Sequence, residues 1–341
     1  MKAAVAGKPG QVEWMELDQP AVGPGEVLLR PLACGICTTD IKLVRAGYQG
    51  GPRYALGHEL VGEVVQVGEG AKWQAGDRVA ATPYLPCGAC HYCMRGQPTL
   101  CPHLFENCLD PGGLAERVRI PRPLAERGLF LLPAGIPLEF AALAEPLGCC
   151  VQGVEACRVT AGDAVLVIGD GPIGLLCAAA ARAYGASPLI VSGLTPRRLA
   201  VAQEHYADAI VDVASEDLRE RVTALTGGRG ADVVIVAVSS AEVVESGLAA
   251  LRPGGVLNAF AGVPKGSTLQ LDLRQLHYQQ IHLTGSFGVG PYHVAQALRL
   301  LAGGRVDLAP LVTATFSFDE TPGAVAYAMS LAGLKAVVVF E

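Results

Sequence analysis

The chain has 341 residues, of which 51% are hydrophobic and 17% charged, with 26 Lys and Arg against 32 Asp and Glu for a net charge of −6. That apolar fraction excludes a disordered chain, and the acidic balance speaks against a general nucleic-acid binder, which needs excess cations to displace phosphate counterions. No apolar run approaches the roughly 18 residues needed to cross a bilayer.

In chain order, the opening MKAAVAGKPGQVEW has no long apolar stretch and meets Glu13 and Glu16 early, so it does not read as a signal peptide and a cytoplasmic location is expected. Gly25–Arg30, Leu60–Val67, Asp77–Ala81 and Ala115–Ile120 are β-rich runs between Gly and Pro turn signals, which predicts a compact barrel-like domain. The pattern changes near Thr160. Ala164–Ile168, Leu189–Val191, Ala209–Val213, Val233–Val238, Val256–Phe260 and Ile281–Gly285 are predicted strands. Predicted helices lie between most of them, at Leu175–Tyr184, Arg197–Tyr206 and Ala241–Leu251. Such alternation predicts a parallel, doubly wound α/β sheet. The tail offers helices at Tyr292–Leu301 and Pro322–Leu331 and a last strand at Ala336–Phe340. The expected domains are 1–152 with a lobe at 85–105, 153–290, and 291–341 returning to the first.

Eleven cysteines, an odd number in a reducing compartment, point to metal rather than disulfides. Cys87, Cys90, Cys93 and Cys101 form C-x2-C-x2-C-x7-C, a spacing with which one loop can wrap four sulfurs around a structural zinc. With no open ligand position, that ion carries no chemistry. Cys37, His58, Glu59 and Glu145 are individually weak signals. Together they supply a mixed soft and hard donor set suited to a catalytic zinc with an open position, able to act as a Lewis acid on a carbonyl or alkoxide. Cys34 competes with Cys37, which is preferred because Thr39 and Asp40 follow it; Cys149 and Cys150 stand near Glu145 as candidate small buried hydrophobes. Thr39 could hold a substrate oxygen and pass its proton, and Asp40 could orient His58.

Gly169-Asp170-Gly171-Pro172-Ile173-Gly174 fits G-x-G-x-x-G between a predicted strand and a helix beginning near Gly174, the setting in which such a turn approaches a pyrophosphate. The acid expected about 20 residues on, for the ribose diol, is missing: the segment reads Ser192-Gly193-Leu194-Thr195-Pro196-Arg197-Arg198. Its absence, with Arg197 and Arg198 available to a 2′-phosphate, leans the coenzyme toward NADP over NAD.

Taken in order, Cys37-x-Thr39-Asp40, Gly57-His58-Glu59, the four-cysteine lobe, Glu145-Pro146 and GDGPIG resemble the zinc-containing medium-chain dehydrogenase/reductase family, most of all its polyol (sorbitol-type) and threonine dehydrogenase branches. The resemblance implies a GroES-like β-barrel catalytic domain built from both chain ends, with a Rossmann domain inserted. It implies a catalytic zinc at Cys37 and His58, with Glu59 or Glu145 as the further ligand, and Thr39 as the first hydroxyl of a proton relay. Lys42 stands where the family's relay histidine lies, open to roles as shuttle, phosphate contact or plain surface. It also implies a coenzyme lined by Ile173, Arg198, Ala261-Gly262-Val263 and Ser286-Phe287, and a homodimer or homotetramer. The expected activity is reversible, NAD(P)-linked oxidation of a small-molecule secondary alcohol. The alternatives are a zinc-knuckle nucleic-acid binder, disfavoured by the single basic residue Arg95 at the knuckle, and a zinc-free reductase of the same fold.

Overall fold

The computed structural model describes residues 1–49 and 55–341. The chain opens on an antiparallel hairpin of β1 (Lys2–Ala6) and β2 (Val12–Glu16). It continues through β3 (Val27–Gly35), β4 (Glu59–Val67), β5 (Arg78–Ala81), β6 (Val118–Ile120) and β7 (Leu129–Leu131). Six further strands alternate with helices: β8 (Val165–Ile168), β9 (Leu189–Gly193), β10 (Ala209–Asp212), β11 (Ala231–Val236), β12 (Leu251–Ala259) and β13 (His282–Gly285). The chain closes on β14 (Val312–Ser317) and β15 (Lys335–Val339).

Two units result. The first comprises Met1–Gly148, Val289–Gly304 and Leu311–Glu341; the second comprises Cys149–Gly288 and Arg305–Pro310. The division falls inside the helix Ala144–Ala156, earlier than residue 152. The tail differs from the expected wholesale return at 291, because 305–310 pack with the second unit. There the Tyr206 hydroxyl donates to the Asp307 carbonyl at 2.9 Å and Arg305 Nη2 donates to the Ala183 carbonyl at 3.4 Å.

In the first unit the strand order is β14-β15-β3-β4-β5-β7, with β6 also pairing β3. All pairs but β14–β15 are antiparallel. Val27, Leu29, Val64, Val79 and Ile120 fill its core with no exposed surface; each such burial contributes about 1.5–3 kcal/mol. Pro31 has no N–H for the ladder, and the β3–β4 register shifts beside it, between Pro31 and Ala33. Two pairings place the site. Gly35 lies opposite Glu59 across β3 and β4, and β15 runs antiparallel on the other side of β3, with Val337 opposite Gly35.

The second unit is one parallel sheet of order β10-β9-β8-β11-β12-β13. Order reverses between β8 and β11, where such sheets bind ligands at their carboxyl ends. β8 reads Val-Leu-Val-Ile, all buried, as a central parallel strand covered on both faces must be. The helix after it starts at Pro172 rather than near Gly174, since the fixed φ of proline suits the first helical position. β13 is an edge strand and is largely exposed. Among the described residues no helix is long and apolar enough to cross a membrane.

Candidate active site and coenzyme turn

Cys37 caps the N-terminus of the helix Thr38–Ala46, just after β3, and His58 immediately precedes β4, whose first residue is Glu59. Antiparallel pairing of β3 with β4 therefore gathers all three at one end of the sheet. Their donor atoms lie within 4.8 Å of one another. Asp40, itself buried, fastens the arrangement: Oδ2 accepts from the Cys37 N–H and Oδ1 from the Gly57 N–H, both at 2.9 Å. Direct orientation of His58 by Asp40 is not what the structure has. Nδ1 stands 3.8 Å from Oδ1, too far for a hydrogen bond, so Asp40 acts through the backbone on either side of the site.

Glu59 is fully buried. Its Oε1 accepts from Lys335 Nζ at 2.6 Å, and that ammonium also donates to the Ile36 carbonyl at 2.8 Å. Its Oε2 has no hydrogen-bond partner among the described residues. A Cβ on Gly35 would overlap this oxygen, so glycine there is what admits the carboxylate. A buried orphan carboxylate oxygen is costly, and beside a thiol and an imidazole it asks for a cation. The electrostatics agree. Burial works against charge on His58, yet its hydrogen bond to Cys37 and the charges of Asp40 and Glu145 outweigh it and hold the imidazole pKa well above its ordinary value. Burial likewise opposes charge on Lys335, and Glu59, Cys37 and Glu145 reverse that, raising its pKa. The residues present thus fit a divalent metal of mixed S, N and O ligation.

Glu145, buried in the first turn of the helix Ala144–Ala156, acts on His58 and Lys335 through its charge but stays outside the 4.8 Å group. Of the two carboxylates, Glu59 is the one placed with Cys37 and His58. Cys34 is core: its Sγ fills the space where Cβ atoms on Gly57 and Gly113 would lie, 2.7 and 2.9 Å away. Cys150 is buried too, and Cys149 half-buried. Thr39 and Lys42 are exposed on the helix Thr38–Ala46. Lys335, at the far end of the chain, carries no sequence motif and was legible only from β15 pairing beside β3.

In the lobe, Cys87, Cys90, Cys93 and Cys101 also gather within 4.8 Å. The Sγ separations of 4.0 Å for Cys87–Cys93 and 3.5 Å for Cys90–Cys93 bracket the edge of about 3.8 Å that a tetrahedron of about 2.3 Å zinc–sulfur bonds requires. The N–H groups of Ala89 and Cys90 point at Cys87 Sγ and bring its pKa down to about 6, whereas burial and the neighbouring sulfurs push Cys93 up to about 12. Four sulfurs this close cannot all ionise without a cation among them, and the lobe fits a closed, structural zinc.

The coenzyme candidates all belong to the second unit. Gly169 follows β8 at φ +125°, in the region that favours glycine. Gly171 is the N-cap of the helix Pro172–Ala183, and a Cβ there would meet nothing, so the chain's own packing does not demand glycine while a close phosphate would. A Cβ on Gly174 would overlap the Gly169 carbonyl oxygen, so this glycine sets helix-to-strand distance. Gly174→Ala is expected to weaken NADH binding at least about tenfold in a fluorescence titration, about 1.4 kcal/mol; an unchanged affinity would separate the turn from coenzyme binding. Ile173 is half-buried in the same helix, and Arg198 half-buried in the helix Pro196–His205 that follows β9. Ala261, Gly262 and Val263 follow β12, and Ser286 and Phe287 follow β13, at the carboxyl ends of adjacent parallel strands. Ser239 Oγ donates to the Gly262 carbonyl at 2.7 Å, and Asn258 Nδ2 donates to Ser286 Oγ at 3.1 Å.

Comparison with known proteins agrees with both halves. Residues 23–133 match the alcohol dehydrogenase GroES-like domain and residues 172–303 match the zinc-binding dehydrogenase domain. The chain is 31% identical over 336 residues to sorbitol dehydrogenase of Bacillus subtilis, covering 96% of this chain and 94% of that one. It is 33% identical over 349 aligned residues to L-threonine 3-dehydrogenase of Pyrococcus horikoshii, covering 100% and 98%. A zinc-binding dehydrogenase structure from Sinorhizobium meliloti, bound to NADP, superposes with a TM-score of 0.90 at 29% identity, covering 99% and 98%. A GroES-like unit carrying a Cys, His and Glu cluster, with a Rossmann unit carrying a glycine turn, defines a class of zinc- and nicotinamide-dependent oxidoreductases. The chain belongs to the zinc-containing alcohol dehydrogenase family.

Proposed function

We propose that Cys37, His58 and Glu59 hold the catalytic zinc of an NAD(P)-linked dehydrogenase that reversibly oxidises a secondary alcohol to a ketone. The observation that carries this is the unpartnered, buried Glu59 Oε2 set within 4.8 Å of a sulfur and an imidazole nitrogen. Zinc, when bound there, supplies Lewis acidity toward the substrate oxygen, and the nicotinamide supplies the hydride acceptor. The chain's own part is positional and protonic. Asp40 fixes the backbone flanking two ligands, Lys335 holds one oxygen of Glu59, and Glu145 adds negative charge beside the imidazole. Thr39 receives the proton of the substrate hydroxyl. Its own hydroxyl proton leaves to water in the same step, and Lys42, exposed three residues on and therefore on the same helix face, lines that exit.

Thr39→Ala is expected to lower kcat by about 10²-fold, the usual scale for a lost proton-transfer group, with Thr39→Ser restoring most of it; equal activity of both variants would remove Thr39 from the relay. The substrate class follows from the relatives: a polyol or sugar alcohol, as for the sorbitol enzyme, or an amino alcohol, as for the threonine enzyme. A panel of such alcohols, read by reduced-nicotinamide absorbance with NAD and NADP in parallel, tests the assignment; no turnover with any of them would refute it. The missing acid at residue 193 and the NADP-bound relative support a lean toward NADP that counts that position alone. The exposed edge strand β13 is suited to pairing with a second copy in a dimer or tetramer, and the protein acts in the cytoplasm. Nucleic acid and membrane are not expected partners.

A further inference from the structure

Gly193 ends β9 without the carboxylate that would receive a ribose diol, yet the place is occupied. Asp170, between the first two glycines of the turn, is 9% exposed. It reaches across to the end of β9, where Oδ2 accepts from the Leu194 N–H at 3.2 Å and the Thr195 N–H at 2.7 Å. A Cβ on Gly193 would stand 2.5 Å from both Cβ and Cγ of Asp170 and 2.6 Å from Oδ2. One space therefore serves two positions, and a carboxylate brought from residue 170 excludes any side chain at residue 193. Both backbone bonds use Oδ2, and Oδ1 accepts none among the described residues.

We propose that Asp170 is the coenzyme-selecting residue of this chain. Its carboxylate, carried over the end of β9 by the glycine turn, takes the place of the acid missing at 193, accepts from the ribose 2′-hydroxyl and repels a 2′-phosphate. The proposal rests on the assignment of Gly169–Gly174 to the dinucleotide. The physical argument is one of position and sign. In this fold the adenosine ribose lies beyond the carboxyl end of the second strand, and selection between the two coenzymes depends on whether a negative charge stands there. Which segment supplies that charge is immaterial to the ligand. A hydroxyl donates to a carboxylate, whereas a phosphate brings two further negative charges against it, and like-charge juxtaposition is strongly unfavourable. Judged by Gly193 alone the chain leans to NADP; with Asp170 in the same space the balance turns to NAD. Arg197 and Arg198, at the start of the helix Pro196–His205, then become effective phosphate partners only once that carboxylate is neutralised.

The test is binding of NADH and NADPH, followed by fluorescence on the zinc-loaded protein without substrate. The unaltered chain is expected to bind NADH at least about tenfold more tightly than NADPH. Asp170→Asn keeps an acceptor oxygen for Leu194 and Thr195 while removing the charge, and is expected to shrink that ratio about tenfold or more, chiefly through tighter NADPH. A double variant, Asp170→Gly with Gly193→Asp, removes the Cβ and carboxylate that fill this space, moves the carboxylate onto β9 and is expected to keep the original ratio. Equal or tighter binding of NADPH by the unaltered chain overturns the proposal without any variant, as does an unchanged ratio in Asp170→Asn. If Asp170→Asn does not fold, the unaltered chain and the double variant decide. Failure of the unaltered chain to bind either dinucleotide would instead overturn the assignment of the glycine turn, and the proposal with it.

Discussion

Cys37→Ser is expected to leave a folded protein that holds one zinc per chain instead of two and turns over substrate at least about 10³-fold more slowly, about 4 kcal/mol of lost transition-state stabilisation. The two metal sites are independent in construction. The lobe's four sulfurs come from one stretch between Cys87 and Cys101, and among the described residues no hydrogen bond joins these sulfurs to the Cys37 cluster. Removing the Cys37 sulfur takes away the sulfur that groups with His58 and Glu59, so the ion is lost there while the lobe keeps its own. Cys37 is half-buried at a helix N-terminus and serine is close to it in size, so unfolding should not accompany the loss. Metal analysis on the purified variant, alongside kcat/KM, checks it. Retention of both zincs would refute Cys37 as a ligand, and loss of both would show that the sites are coupled. The same count separates this family from a zinc-free reductase.

Lys335→Met is expected to cost about 3–5 kcal/mol of folding stability, the usual penalty for removing one partner of a buried ion pair. Lys335 is 4% exposed and Glu59 fully buried, and among the described residues the ammonium is the one hydrogen-bond partner of the Glu59 carboxylate. Without it both carboxylate oxygens are orphaned. The loss should be larger in zinc-stripped protein, where no cation compensates, and chemical denaturation of the two forms measures the difference. Adding Glu59→Gln to Lys335→Met should recover part of the stability, because a neutral amide is cheaper to bury than an unpaired charge. The pH dependence has a definite sign. The folded-state pKa of Lys335 is raised above 10.5, so its contribution is complete below that value and declines as pH rises through the raised one. Zinc-stripped protein should therefore lose stability in strong alkali, and Lys335→Met should lack that component. A variant as stable as the parent would show that the pair is not what holds Glu59.

The elements legible in the sequence were those whose pattern is local. β8, β9 and β11 could be read because buried parallel strands are continuous apolar runs set between helices. The hairpin of β1 and β2 could not, because Lys-Ala-Ala-Val-Ala has no strand signature of its own and is extended only through pairing with Val12–Glu16. β14 is likewise made a strand by lying parallel to β15. At the metal site, residue types and their neighbours pointed to Cys37, His58 and a carboxylate, but two carboxylates were equivalent on paper. Glu59 is the one that stands with Cys37 and His58, because it is the first residue of β4, opposite a glycine that leaves room for it.

By itself the sequence determined the four-cysteine lobe and the glycine turn, since each is written within a single loop or turn whose spacing sets its geometry, and the order of its motifs determined the family. Only the tertiary structure decided how charges far apart in the chain meet. It placed Lys335 on Glu59 because β15 returns beside β3, turned Asp40 onto backbone amides instead of His58, and set Asp170 in the space Gly193 leaves vacant. The reason is physical: a donor set within one loop is fixed by covalent reach, whereas the partner of a buried charge is fixed by which strands lie side by side.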